Sequence, residues 1–421
     1  MNNNHINGWK NSFLLLTSIG ISNIGSWIYL IALNLIILDM TSSPLAVSFL
    51  YILKPAATLL TNFWSGSLID RTNKRNLMIQ LDFLRAIVIF VLPFISTLWI
   101  IYAFVLVINM CSSIFYPTSM VYITKLLPNE RRQKFNAMRS LVSSGAFVLG
   151  PTIAGVLFMI GTPKLAISIN AISLLVSGII TVLLPNIENN IDESSSKTPI
   201  TLKMLKKDLK VVLHFSSNNR MLVKIIFLYT FILILTASID SLEASFSKEV
   251  LLLTNSKYGV LVSLAGVGFI VGSLVNSIFL NKIKSKKLIW IGSIFLSLGY
   301  IIYAFSNNFF MAAIGFFILS FALAISNIGY DTFYQNKVPV NLMGRIGSLY
   351  GFVQAIFVIL FTITIGYLAK NFSLQIIVIL SSFLMLFVSL ILFAFILYSS
   401  NSKRTFQNIL RRFKNEKVLQ K

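Results

Sequence analysis

The chain has 421 residues, of which 56% are hydrophobic and 11% charged. A water-soluble globule of this size needs far more polar surface, so composition excludes the soluble classes and leaves an integral membrane protein. A formal charge of +22 would suit nucleic acid in a soluble protein, but no separate basic domain is present to carry such binding, and nucleic acid is not an expected partner.

A transmembrane helix needs roughly 20 mainly apolar residues. Twelve such segments follow in order, at residues 12–38, 45–68, 77–97, 100–124, 136–160, 164–184, 221–245, 258–281, 287–305, 308–331, 345–369 and 372–399. With the N-terminus placed inside, only Lys164, Lys248, Lys257 and Lys370 of the 35 Lys and Arg fall in outer loops, and Lys54, Arg85 and Arg139 fall within segments. The remainder crowd the inner side, which predicts a multi-pass protein of a bacterial cytoplasmic membrane with both termini cytoplasmic. The single Cys111, inside the fourth segment, reads as a packing residue.

Residues 185–220 form the one long polar stretch, NIENNIDESSSKTP followed by LKMLKKDLKVVLHF. The first part reads as a flexible linker and the second as a basic amphipathic helix lying on the inner membrane surface. The stretch separates a first six-helix bundle at 1–184 from a second at 221–399. A basic tail at 400–421 suits the anionic inner leaflet.

The two halves repeat one another. GSLIDRTNKRNLMI, starting at Gly66, returns as SIFLNKIKSKKLIW, starting at Ser277, and the same offset carries Asp70 onto Asn281, Pro128 onto Pro339 and Gly155 onto Gly366. An internal repeat of this size in a membrane chain points to two related bundles around a central site.

The first copy of that loop, G-S-L-I-D-R-T-N-K-R from Gly66 to Arg75, resembles the signature loop of the major facilitator superfamily. Asn73 stands where the family usually has Gly; Asn tolerates a left-handed backbone, so the turn is expected to survive. The resemblance implies an all-α membrane protein with twelve transmembrane helices in two pseudo-symmetric six-helix bundles. It also implies a conformational latch built from Gly66, Asp70, Arg71, Arg75 and Arg345. Gly66 clears the crossing of helix 2 on helix 11, and Asp70 faces the positive N-terminal end of helix 11 near Gly344 and Arg345. Asn281 replaces the acid in the second copy, so the mirrored latch between helices 8 and 5 is expected to be weaker. Helix 5 carries Gly145, Gly150, Pro151 and Gly155, a pattern similar to the Gly-Pro motif of antiporters in this superfamily, which implies export. The small residues suit close packing and the proline a bend. L-D-F-L-R-A around Asp82 and Arg85, F-Y-P-T-S from Phe115 and G-R-I-G-S-L-Y-G from Gly344 resemble the branch of macrolide-efflux and siderophore-export permeases.

Charges inside hydrocarbon are costly unless paired or wetted. Asp82 and Arg85, three apart on one helix face, read as a structural ion pair. Lys54 lies about 24 Å along helix 2 from Asp70, and Asp240 and Glu243 share a face of helix 7 by spacing. Lys54 is a candidate to pair with either acid across an outer gate that protonation opens, the alternative being that it snorkels to the headgroups. Asp331 is a candidate to carry a coupling proton, to bind a cationic substrate, or to hydrogen-bond Asn327 or Gln335 one turn away. Trp27, Asn34, Tyr116, Tyr229 and Tyr330 are candidate lining residues of a central cavity for an amphipathic ligand.

No metal-ligand cluster, nucleophile with a base, or phosphate-binding glycine loop is legible, so neither enzyme chemistry nor a metal or cofactor is expected. The function this predicts is alternating-access secondary transport, namely proton-coupled efflux of a lipophilic drug, antibiotic or siderophore-like molecule by a monomer in the lipid bilayer. An importer or facilitator of the same fold is the nearest alternative, and a channel or membrane-embedded enzyme a distant one.

Overall fold

The computed structural model describes residues 9–41, 44–160, 162–188, 202–253, 255–280 and 282–419. Six helices form the first half: α1 (Trp9–Thr41), α2 (Pro44–Arg71), α3 (Lys74–Val91), α4 (Leu98–Leu126), α5 (Asn129–Ile160) and α6 (Pro163–Val182). A linker helix, α7 (Leu202–Asn218), precedes the second six: α8 (Arg220–Asp240), α9 (Asn255–Val275), α10 (Ser285–Ala304), α11 (Phe309–Lys337), α12 (Met343–Asn371) and α13 (Leu374–Leu419). Long apolar runs fold this way because a helix satisfies each backbone N–H and C=O within its own segment, where no water can.

Eleven helices among the described residues are long and apolar enough to cross a membrane by length and composition. Helix α2 carries Lys54, Thr58 and Asn62 at helical spacing, a polar stripe on the wall of a central cavity. Large apolar side chains such as Phe13, Ile87, Phe94, Trp99, Phe310 and Phe387 stand exposed on the outside, the surface that lipid would cover.

The repeat is visible in the packing. In the first half α1 packs on α5 and α6, α2 on α4, and α3 on α4 and α6. In the second half α8 packs on α12 and α13, α9 on α11, and α10 on α11 and α13. Across the halves α2 lies on α12 and α5 on α9. The halves also share an apolar core at the end bearing the α2–α3 loop, where Ile69, Leu77, Met120 and Val121 join Met343 and Ile346.

Four expectations change in detail. Asn73 has φ −68° and ψ 116°, and its side chain accepts the Asn76 N–H at 3.1 Å. It is an N-cap in extended backbone, so its side-chain oxygen keeps the turn, not a left-handed conformation. The seventh span stops at Asp240, and Glu243 opens a separate short helix, Glu243–Ser245; the shared helix face of these two acids is therefore lost. The basic helix α7 is docked against α2, α8 and α12, with Val212 and Asp208 buried while Leu209 and Leu213 stay exposed. The tail does not start as a separate element, since α13 runs on as helix to Leu419; its side chains beyond Tyr398 lie outside the described residues, as do His5 and the polar stretch 189–201.

Candidate functional site

The site is built from three layers along the contact between the halves. The first lies at the basic end. Gly66 on α2 meets the start of α12 so closely that an added Cβ would sit 2.7 Å from the Arg345 Cα and 2.8 Å from the Gly344 carbonyl oxygen. That approach delivers the Asp70 carboxylate to the first turn of α12. It accepts the backbone N–H of Gly344 at 2.9 Å and of Arg345 at 3.2 Å, and the Arg345 Nε at 2.8 Å. Unpaired N–H groups and the helix dipole make a helix start a natural seat for a carboxylate.

The linker helix completes this layer. Asp208 of α7 accepts from Arg71 Nη2 at both carboxylate oxygens, at 3.0 and 2.9 Å, from Arg345 Nη1 at 3.0 Å, and from the Ser67 hydroxyl. The result is a chain of alternating charge, Asp70, Arg345, Asp208 and Arg71, spanning both halves. Arg75 does not join it: its Nη1 donates to the Leu184 carbonyl at 2.9 Å, a contact within the first half. Lys74 and Lys125 meet on Glu188 at 2.9 and 2.6 Å. Burial would raise the Glu188 carboxyl, but hydrogen bonds and charge from these two lysines hold it below the usual range.

The second layer is a ladder from α5 to α11, one rung per turn. Arg132 Nη1 donates to the Gln335 carbonyl at 2.7 Å and to Asn336 at 2.9 Å. Asn136 donates to Thr332 at 3.1 Å and to Gln335 at 2.8 Å. Arg139 forms an ion pair with Asp331, and its guanidinium lies 5.4 Å from the Tyr116 ring centroid. The expected local partners of Asp331, Asn327 and Gln335, are thus replaced by an arginine from the other half. Beside this ladder Ser140 of α5 and Ser273 of α9 are 2.7 Å apart, in the region of the mirrored latch; Asn281 itself lies outside the described residues.

The third layer is a cavity of about 1000 Å³ between the halves, whose wall includes Trp27, Lys54, Tyr116, Arg139, Tyr330 and Asp331. Serine, threonine and amide groups of α1, α2, α4 and α5 share that wall with aromatic rings from both halves. Two of the expected lining residues are elsewhere. Tyr229 is fully buried behind the wall, stacked on Tyr330 with centroids 4.7 Å apart and donating to Asn327 at 2.8 Å. Asn34 is not on the wall.

Asp82 and Arg85 form an ion pair, with Asp82 fully buried and also accepting the Ser177 hydroxyl at 2.9 Å. Arg85 stands 4.6 Å over the Phe115 ring and reaches the cavity wall. Lys54 is exposed on that wall and is not joined to either acid proposed for it. Asp240 instead accepts the Tyr300 hydroxyl, and Glu243 accepts the Tyr258 hydroxyl at 3.0 Å. Both acids have found phenols of the second half, whereas an outer-gate pair requires the outer ends of the halves to meet.

In α5 only one glycine of the motif makes a close approach. A Cβ on Gly150 would lie 2.3 Å from the Trp27 Cβ of α1, but a Cβ on Gly145 or Gly155 would meet nothing within 4 Å. The tight packing expected of all three is therefore confined to Gly150 in this conformation. The helix continues through Pro151 to Ile160, and the Pro151 side chain lies outside the described residues.

The sequence model of the Major Facilitator Superfamily matches residues 15–362. The chain belongs to that superfamily. A curated relative, an uncharacterised MFS-type transporter named YfiS from Bacillus subtilis strain 168, is 23% identical over 359 residues, covering 82% of this chain and 83% of its own. Among solved structures, a bacterial homologue of the iron transporter ferroportin in an outward-facing state gives a TM-score of 0.72 at 14% identity, over 91% of this chain and 99% of that one. The human organic anion transporter MFSD10 gives 0.71 at 11% identity, over 90% and 98%. The Escherichia coli fucose:proton symporter FucP gives 0.68 at 11% identity, over 91% and 98%. At these identities the likeness is one of fold.

Four residues of the inter-half contact escape a reading of the sequence: Arg132, Asn136, Arg139 and Asp208. Arg139 left a signal, a charge inside an apolar segment. So did Asp208, an acid set among Lys206, Lys207 and Lys210.

Proposed function

We propose that this chain is a secondary active transporter that works by alternating access and exports a small amphipathic organic molecule in exchange for protons. The observation that carries the reading is the geometry of the contact between the halves. They are tied at the basic end by Asp70, Arg345, Asp208 and Arg71, and they part around a cavity of about 1000 Å³, a size suited to a drug-like ligand. Asp70 and Arg345 join the two bundles directly and Asp208 of the linker helix bridges Arg71 and Arg345, so these ties can be exchanged as the bundles rock around a central site.

Export rests on the resemblance of the α5 motif to the Gly-Pro motif of antiporters in this superfamily, and of the segments around Asp82, Phe115 and Gly344 to macrolide-efflux and siderophore-export permeases. The inner-membrane placement with cytoplasmic termini rests on the positive-inside pattern. Proton exchange has two supports. Asp331 is the one acid on the cavity wall among the described residues. Beyond the end of α8, burial and the charge on Asp240 push the Glu243 carboxyl up to about 7, against the hydrogen bond from Tyr258. The fold by itself does not select cargo, since an iron transporter homologue, an organic anion transporter and a sugar symporter all share it. Among the described residues no three His, Cys, Asp or Glu side chains come together to hold a metal ion, so the iron of the ferroportin homologue is not carried over.

An importer or facilitator is the second reading, favoured by the open surroundings of Gly145 and Gly155, which leave much of the exporter-like motif without a packing role in this state. Retention of chemically varied solutes by cells expressing the chain, with and without a protonophore, separates the readings. Export predicts lower retention that the protonophore restores, and uptake rather than extrusion in inverted vesicles. Uptake by whole cells and not by inverted vesicles would replace export with import.

A further inference from the structure

The charges on the cavity wall select among substrates. Those charged side chains are Lys54, Arg85, Arg139 and Asp331, three cations and one acid among the described residues. Arg85 is held by the fully buried Asp82 behind it, and Asp331 is already engaged by Arg139. Lys54 remains, exposed on the wall, and among the described residues no carboxylate lies within ion-pair reach of it. An ammonium-bearing substrate would find no free carboxylate here and would meet an uncompensated lysine, an arrangement that disfavours it.

We propose that the cavity takes an organic anion carrying an aromatic or apolar body, with Lys54 and Arg139 as the groups that recognise its acidic function. The proposal rests on the transporter reading above and adds the chemical class of the cargo. Arg139 suits the task because a guanidinium can offer two parallel donors to a carboxylate, sulfonate or phosphate. Its guanidinium carbon lies 5.4 Å from the ring centroid of Tyr116, a residue that is 54% exposed on the cavity wall. Hydroxyls and amides along α1, α2, α4 and α5 supply further donors; Thr58 and Ser113, one turn from Lys54 and Tyr116 respectively, lie 3.2 Å apart. Trp27, Phe147 and Tyr330 provide the apolar side of the wall.

The same geometry ties recognition to movement. Arg139 is on α5 of the first half and Asp331 on α11 of the second. An anion that takes the donors of Arg139 displaces Asp331 and removes one tie between the halves at the cavity floor. Substrate therefore binds better to the state in which that tie is broken, which is what a ligand must do to shift a conformational equilibrium. This predicts opposite signs for the two members of one ion pair: loss of Arg139 weakens anion binding, and neutralising Asp331 preserves or strengthens it. A pair that merely held the helices together would give both substitutions the same sign.

The test compares two dyes with one ring skeleton, anionic carboxyfluorescein and cationic rhodamine 6G, by fluorescence anisotropy on the full chain in nanodiscs. Saturable binding of carboxyfluorescein is expected, weakened at least about tenfold by Lys54→Gln and restored by Lys54→Arg. Asp331→Asn is expected to bind it as tightly as the native chain or tighter. Arg139→Gln is measured together with the Arg139→Gln, Asp331→Asn double variant, which leaves no unpaired buried acid; both are expected to lose binding. Preference for rhodamine 6G, no binding of carboxyfluorescein, or indifference to Lys54→Gln and to the double variant overturns the proposal. Spin-label distances across the two ends of the same preparation keep the two readings apart. A chain that alternates but binds no anion loses only the substrate class, and a chain that does not alternate loses the transporter reading.

Discussion

At Gly66 a single added carbon decides whether two helices can touch. The Cβ of Gly66→Ala would press on backbone atoms of Arg345 and Gly344 from distances of 2.7 and 2.8 Å, and backbone cannot rotate away. Overpacking of this kind costs about 1–3 kcal/mol, and here it falls wholly on the closed basic end. Gly66→Ala is expected to lower the population of that closed state, read as increased thiol labelling of a cysteine placed among the cavity residues from the basic side. Unchanged labelling would remove the latch role. Glu243 offers a pH test. Its folded-state carboxyl is raised to about 7, so the folded protein holds a proton there that the unfolded chain has released. The stability this contributes is present at low pH and is lost as pH rises from the ordinary glutamate range, about 4.3, through about 7. Relative to Glu243→Gln, the native chain should lose thermal stability across that window; a constant difference between the two from pH 5 to 8 would contradict it. At this scale the acids and glycines of the α2 loop were legible because their roles need few partners: a helix start for Asp70, an open crossing for Gly66. Asp331 was not, since its partner Arg139 sits on a helix of the other half, and no spacing rule links the two.

At the scale of elements, eleven spans announce themselves by length and apolarity, and α2 sets a polar stripe of Lys54, Thr58 and Asn62 on the cavity wall. The end of α8 falls earlier than hydropathy suggests. Apolar residues continue past Asp240, but the chain turns there to bring Glu243 to Tyr258, a tertiary demand that hydropathy does not record. The linker helix α7 shows the largest gap between pattern and position. Its basic amphipathic sequence fits a membrane surface, yet Asp208 is buried between Arg71 and Arg345. Neutralising this buried carboxylate leaves Arg71 without its ion-pair partner and Arg345 with Asp70 alone. Asp208→Asn is therefore expected to weaken the closed basic end in the same direction as Asp70→Asn, although it lies on the linker helix and not on the cavity wall. Double electron-electron resonance on the two variants checks this. A closed fraction in Asp208→Asn equal to that of the native chain would reduce α7 to a tether.

For the molecule as a whole, the repeat legible in the sequence and the paired packing of the two halves describe one device, a pair of bundles that share a floor and part above it. Asp70 has its helix-start seat on α12, while the contact between α5 and α9 includes a pair of serines. Rocking requires the two ends to exchange openness, so one comparison reaches the centre of the account. Cys111 is the single native cysteine; with Cys111→Ser as background, spin labels at Asn76 and Lys287 report the basic end, and labels at Ser96 and Asn307, all four exposed, report the opposite end. The account predicts two distance populations at each end, changing in opposite directions, with Asp70→Asn lengthening the basic-end distance and shortening the other. A single population at both ends, or ends that open and close together, would contradict it.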